Sequence, residues 1–84
     1  MRFRFTKHVS EKLILLKRFR FKITKKQIKE TINNPLKVED KDTDLHIATS
    51  LLDENHVLRV VYRFESDIIV VITCYPGRRK AYEI

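Results

Sequence analysis

Between Leu45 and Tyr75 the chain carries three β-patterned runs separated by a few polar residues each, and this spacing limits its fold more than any other feature. The runs are Leu45 to Leu52, Val57 to Phe64 and Ile68 to Tyr75, parted by Asp53-Glu54-Asn55 and Glu65-Ser66-Asp67. β-branched and aromatic residues, which suit a pleated and half-buried surface, dominate them. A connection of about three residues returns the chain antiparallel beside the strand it has left, because a parallel neighbour needs a crossover of about a dozen. An antiparallel meander follows, with Ile68 to Tyr75, the most apolar run, expected at the centre of the sheet.

Upstream of the meander the hydrophobic period changes. Arg2-Phe3-Arg4-Phe5 alternates, which predicts a first strand burying Phe3 and Phe5. From Lys7 onward Val9, Leu13, Leu16 and then Phe19 or Arg20 fall on one helical stripe, predicting a helix over 7–19. Thr24 followed by Gln27 has the spacing of a capping box and opens a second helix with Ile28 and Ile32 on its core face. Asn33-Asn34-Pro35 ends it, since the residue before proline is pushed out of the helical region. Leu36 to Glu39 is a candidate short strand, 40–44 a charged turn, and Pro76-Gly77 the expected close of the last strand. The basic tail Arg78 to Ile84 is a candidate final strand. The order is β-α-α-β-β-β: a single α+β domain over 1–84 with both helices on one face of an antiparallel sheet.

Composition narrows the function classes. The 84 residues carry a formal net charge of +7 and 43% hydrophobic residues, too apolar for a disordered chain. The longest apolar runs fall far short of the roughly 18–20 residues of a membrane span, and Met1 to Lys7 lacks the apolar segment of a signal peptide. A soluble cytoplasmic domain without membrane attachment is expected. Cys74 is the single cysteine, and no Cys/His spacing fits a zinc site, so neither a disulfide framework, a metal nor a cofactor is expected. The basic charge is concentrated: residues 1–33 hold eleven Lys/Arg against two acids, 34–58 hold two against six, and 59–84 hold five against three. Basic ends flanking an acidic middle suit a polyanion or an acidic protein as partner.

His8 opens the first helix in Thr6-Lys7-His8-Val9-Ser10-Glu11-Lys12-Leu13. Residues 23–35, then Leu58-Arg59-Val60-Val61, then 69–76, with Cys74-Tyr75-Pro76 at its end, follow in an order that resembles the RelE/ParE-like superfamily of small bacterial and archaeal toxins. Within it the chain is most similar to a branch that includes domains like the BrnT toxins. The resemblance covers most of the chain and implies a toxin encoded with an antitoxin. In RelE-like members it implies ribosome-dependent cleavage of messenger RNA without a metal, the ribose 2′-hydroxyl attacking the adjacent phosphate while basic and phenolic side chains position and stabilise it. Other relatives poison DNA gyrase.

Such chemistry needs a base near the 2′-hydroxyl, cations on the phosphate and an acid for the leaving oxygen. His8, at a helix start where backbone amides favour an anion, is the candidate acid–base group; its alternative role is to brace the helix. Arg59 and Arg63, four apart on one strand, share a face, and Arg59 is a candidate to grip a phosphate beside His8 or to pair with an internal carboxylate. Tyr75 offers a phenol to the same pocket, so His8, Arg59 and Tyr75 form the candidate catalytic set. Arg63, Arg78, Arg79, Lys80 and Tyr82 are candidates for RNA and phosphate contacts, combining clustered cations with a stacking aromatic. His46 and His56 read as solvated turn residues and Cys74 as a buried inert thiol. The partners so expected are RNA or the ribosome and an acidic antitoxin. A second copy is a further candidate, joined at a sheet edge where Lys37, Glu39 and Asp40 limit indiscriminate pairing.

Overall fold

In the computed structural model, which describes residues 1–42 and 44–84, two helices lie on one face of a five-stranded sheet. The chain runs β1 (Arg2–Phe5), α1 (Lys7–Arg18), α2 (Lys25–Asn33), β2 (Lys37–Asp40), β3 (His46–Leu51), β4 (His56–Glu65) and β5 (Ile68–Arg78), then a 3-10 turn over Arg79–Tyr82. The sheet order is β1-β5-β4-β3-β2. The charged turn expected at 40–44 includes Thr43, which lies outside the described residues.

The α+β class, the meander and the two helices agree with the sequence reading, and four details correct it. The sheet is mixed, because β1 pairs parallel with β5, Arg2 opposite Ile68 through Phe5 opposite Val71. Two helices carry the chain back between those strands, and local turn spacing says nothing about the direction of such a distant pair. β4 is the central strand, not β5. The candidate strand at 36–39 forms as the edge strand Lys37–Asp40, which adds one strand to the order: β-α-α-β-β-β-β. Finally, β5 continues through Pro76 and Gly77 to Arg78, and the tail makes a 3-10 turn instead of a strand. Proline is tolerated there because β1 covers β5 only from Ile68 to Val71, which leaves the rest of that side an edge.

Local chemistry sets the helix ends. Thr6 caps α1 by accepting from the Val9 N–H, while its own hydroxyl donates to the Ile72 carbonyl. Ile72 is free for this because the β4–β5 register slips there, Val61 facing Thr73 and Tyr62 facing Val71. The Thr24–Gln27 capping box has both of its bonds. α1 stops in a Schellman motif: the Phe21 N–H reaches the Leu16 carbonyl and the Arg20 N–H that of Lys17. The left-handed position of that motif is held by Arg20, at φ 68°, where glycine is usual.

One core joins the layers. Val9 and Leu16 of α1, Ile23 and Ile28 pack on Ala48, Leu58, Val60, Tyr62, Ile69, Val71 and Cys74. These strand residues share a face, so Arg59, Arg63, Thr49, Thr73 and Tyr75 point to the opposite, helix-free face. Cys74 is fully buried in the core, and burial pushes its thiol up to about 11, against a smaller opposing pull from Lys12.

Replacing Arg20 with glycine removes the left-handed penalty, and the expected result is a gain of about 1 kcal/mol, or ~4–8 °C in Tm, by thermal denaturation. An unchanged or lower Tm would contradict the strain assigned to this position.

Candidate functional site

The helix-free face is roofed by its own long side chains. Val70, fully buried, lies in register between Arg4 and Arg63, and both guanidiniums bond the same oxygen of Glu65, at 3.1 and 3.2 Å. Aliphatic stems so placed cover apolar strand residues while their heads reach water. Arg63 is therefore on this face, as the strand parity predicts, and already shares a carboxylate.

Arg59 lies at the middle of the same face and is only 4% exposed. Its Nε–H donates to the Tyr75 hydroxyl at 3.0 Å, and its Nη2 donates to Glu39 of β2 at 2.7 Å. The Tyr82 ring lies over its guanidinium, 4.2 Å from carbon to centroid. Burial works against the charge of Arg59, but the bonds from Tyr75 and Glu39 outweigh it and hold the side chain more firmly protonated than usual. The same Arg59 bond lowers the Glu39 pKa, with smaller help from Lys41 and Lys37. Opposite Arg59 on β3, Thr49 is fully buried and its hydroxyl has no partner among the described residues.

Of the candidate catalytic set, the structure brings Arg59 and Tyr75 together and leaves His8 apart. His8 is exposed on α1, on the helical side of the sheet, and no side-chain hydrogen bond or ion pair joins it to another described residue. Arg59 thus lies not beside His8 but against the internal carboxylate of Glu39, because strand alternation sends Arg59 to the face the helices do not occupy. Tyr82 is likewise not a free stacking surface, since its ring is already seated on Arg59.

Arg78, Arg79 and Lys80 gather at the end of the sheet where β5 leaves for the tail. The Arg79 N–H bonds the Asn55 carbonyl at 2.8 Å, which ties the tail to the β3–β4 turn. Between them lies an open pocket of about 570 Å³ lined by these three cations with Glu54, Asn55, His56 and Ile84. Arg78 and Lys80 are exposed and make no ion pair with any described residue; the Arg79 Nε–H donates to the Ile84 carbonyl.

His56 is not the solvated turn residue that the sequence reading expects. Its Nδ1 lies 2.9 and 3.1 Å from the two carboxylate oxygens of Asp53, and its ring meets Phe21 edge-on at 5.1 Å. Asp53 also accepts the Asn55 N–H at 2.8 Å, and that bond first, then the His56 bond, lowers its pKa. The Asp-x-x-His spacing was visible in the sequence, but nothing there distinguished a fixed pair from two solvated side chains. His46 is fixed in a similar way, with Nδ1 2.6 Å from Asp40 and its ring against Tyr62 and Phe64. It sits at the opposite end of β4 from His56, in register with Tyr62, and none of the pocket-lining cations is beside it.

Comparison of the chain with protein-family models, curated proteins and solved structures gives no match.

Two predictions test this geometry. A Cβ at Gly77 would come within 2.5 Å of the Tyr82 ring, so Gly77→Ala should unseat the tail at a cost of about 1 kcal/mol for the lost cation–π contact. Hydrogen exchange should quicken at residues 79–83 while β4 keeps its protection; an unchanged tail would contradict the seating of Tyr82. The second concerns acid. Because the Glu39 pKa is lowered on folding, its contribution to stability is complete above its ordinary value of 4.5 and is lost as pH falls through the lowered one. Urea unfolding from pH 6 to pH 2 should show Glu39→Gln less acid-sensitive than the wild type, and equal slopes would remove Glu39 from the account.

Proposed function

We propose that this chain is the toxin-like component of a toxin–antitoxin system, a RelE/ParE-like domain that binds RNA and cleaves messenger RNA without a metal, on the ribosome and in the cytoplasm. The observation that carries this reading is the cationic pocket between the β3–β4 turn and the tail, where Arg78, Arg79 and Lys80 converge. Clustered cations displace counterions from a phosphate backbone and so bind nucleic acid whatever its sequence. Two helices on one face of a small sheet, with the opposite face roofed by arginines and tyrosines, accord with the superfamily resemblance.

The engagement of Arg59 favours a second reading. A guanidinium that already serves Glu39 and Tyr75 has little left for a phosphate, which takes Arg59 out of a catalytic set and leaves the exposed Arg78 and Lys80 to a non-catalytic module for an acidic protein, an antitoxin or a gyrase subunit. Here the basic residues would act in recognition alone.

The two readings separate on induced expression. Growth arrest with cleaved message supports the nuclease; arrest with intact RNA supports the binding module; normal growth with intact RNA contradicts both and leaves a structural domain without toxicity. With purified protein and a single-stranded oligoribonucleotide, Arg78→Ala/Lys80→Ala should weaken binding. It should also flatten the plot of log K against log salt by about 0.7 per lost phosphate contact. Unaltered affinity and slope would move the RNA contact elsewhere.

A further inference from the structure

The RNA reading leaves the acid–base group unassigned, since His8 is remote from the cationic pocket. Resting on that reading, we propose that His56 is the general base of RNA cleavage in this pocket, positioned by Asp53, with Arg78, Arg79 and Lys80 on the scissile phosphate. Four observations converge there.

The first is orientation. Asp53 holds His56 Nδ1 through both oxygens, and the Phe21 ring holds the imidazole edge, so the side chain is fixed from two sides. The second is the tautomer. An ionised Asp53 only accepts, so Nδ1 carries the hydrogen and the lone pair of neutral His56 lies on Nε2. The third is availability: Nε2 has no partner among the described residues, and His56 lines the pocket. The fourth is the ligand chemistry. Three cations, against Glu54 in the lining and the Asp53 carboxylate behind His56, leave the site net positive, and its volume of about 570 Å³ lies within the usual range for small-molecule sites.

The step balances within these groups. His56 Nε2 takes the proton of the ribose 2′-hydroxyl as the 2′-oxygen bonds to phosphorus. The phosphorus–5′-oxygen bond breaks, and the leaving oxygen takes a proton from the Lys80 ammonium. The products are a 2′,3′-cyclic phosphate and a free 5′-hydroxyl, and His56 and Lys80 recover their starting states by proton exchange with water. Arg78 and Arg79 offset the charge on the phosphate as it becomes pentavalent.

The test is a single-turnover assay on an end-labelled oligonucleotide with one ribose in a deoxyribose strand, free and carried on ribosomes, in the presence of a chelator. Wild type should yield the cyclic phosphate at the ribose and nothing from the all-deoxy strand. His56→Asn, whose amide retains a donor for Asp53, should lower the rate by about 100-fold with Kd unchanged. Added imidazole should restore part of the rate to His56→Ala. Asp53→Asn should slow cleavage with Kd unchanged, which separates positioning of His56 from RNA binding. His56→Asn cutting at the wild-type rate would overturn the proposal, as would RNA that binds the wild type and stays intact in both formats. RNA that does not bind at all would overturn the RNA reading itself.

Discussion

A buried guanidinium on the helix-free side of the sheet holds this molecule's second face together. Taking such a charge out of water costs several kcal/mol unless carboxylate and hydrogen-bonding partners surround it. Arg59 has those partners on three separate elements: Glu39 on the edge strand β2, Tyr75 on β5 and the Tyr82 ring from the tail. A short edge strand of four residues and a single 3-10 turn would otherwise hold the domain weakly. One residue of the central strand thereby ties the edge strand β2 and the tail to the sheet.

The tail is where this constraint reaches function. With Tyr82 seated on Arg59 and Gly77 leaving space for the ring, residues 79–82 turn back over the sheet end instead of extending away from it. The Arg79–Asn55 backbone bond then sets Arg78, Arg79 and Lys80 beside the turn that carries Asp53 and His56. Packing thus brings Arg78, Arg79 and Lys80 beside His56, more than 20 residues away in sequence, and under the proposal Arg59 acts only by seating the tail.

Much of the architecture was legible because its causes are local. The Thr24–Gln27 cap, the amphipathic stripes and the short turns each depend on residues within a few positions, and strand parity set Arg59 with Arg63 and, on the next strand, Thr73 with Tyr75. What escaped the sequence depends on distant contacts. The parallel pairing of β1 is one such case; another is the slip at Ile72, which answers to Thr6 some 66 residues away. Arg20 gave no signal because a left-handed cap usually shows itself as glycine, and Pro76-Gly77 read as a strand end because nothing local marks that stretch as an edge. At the site, residue types pointed to His8 for its place at a helix start, whereas fixation by Asp53 and Phe21 distinguishes His56.

Under the proposal, RNA meets the protein at the end of the sheet formed by the β3–β4 turn and the tail. The most direct measurement is a titration of isotope-labelled protein with a short single-stranded oligoribonucleotide, followed by amide chemical shifts. The largest changes are expected at residues 53–56 and 78–82, with α1 unaffected. Changes centred on His8 and α1, with the turn and the tail undisturbed, would contradict it.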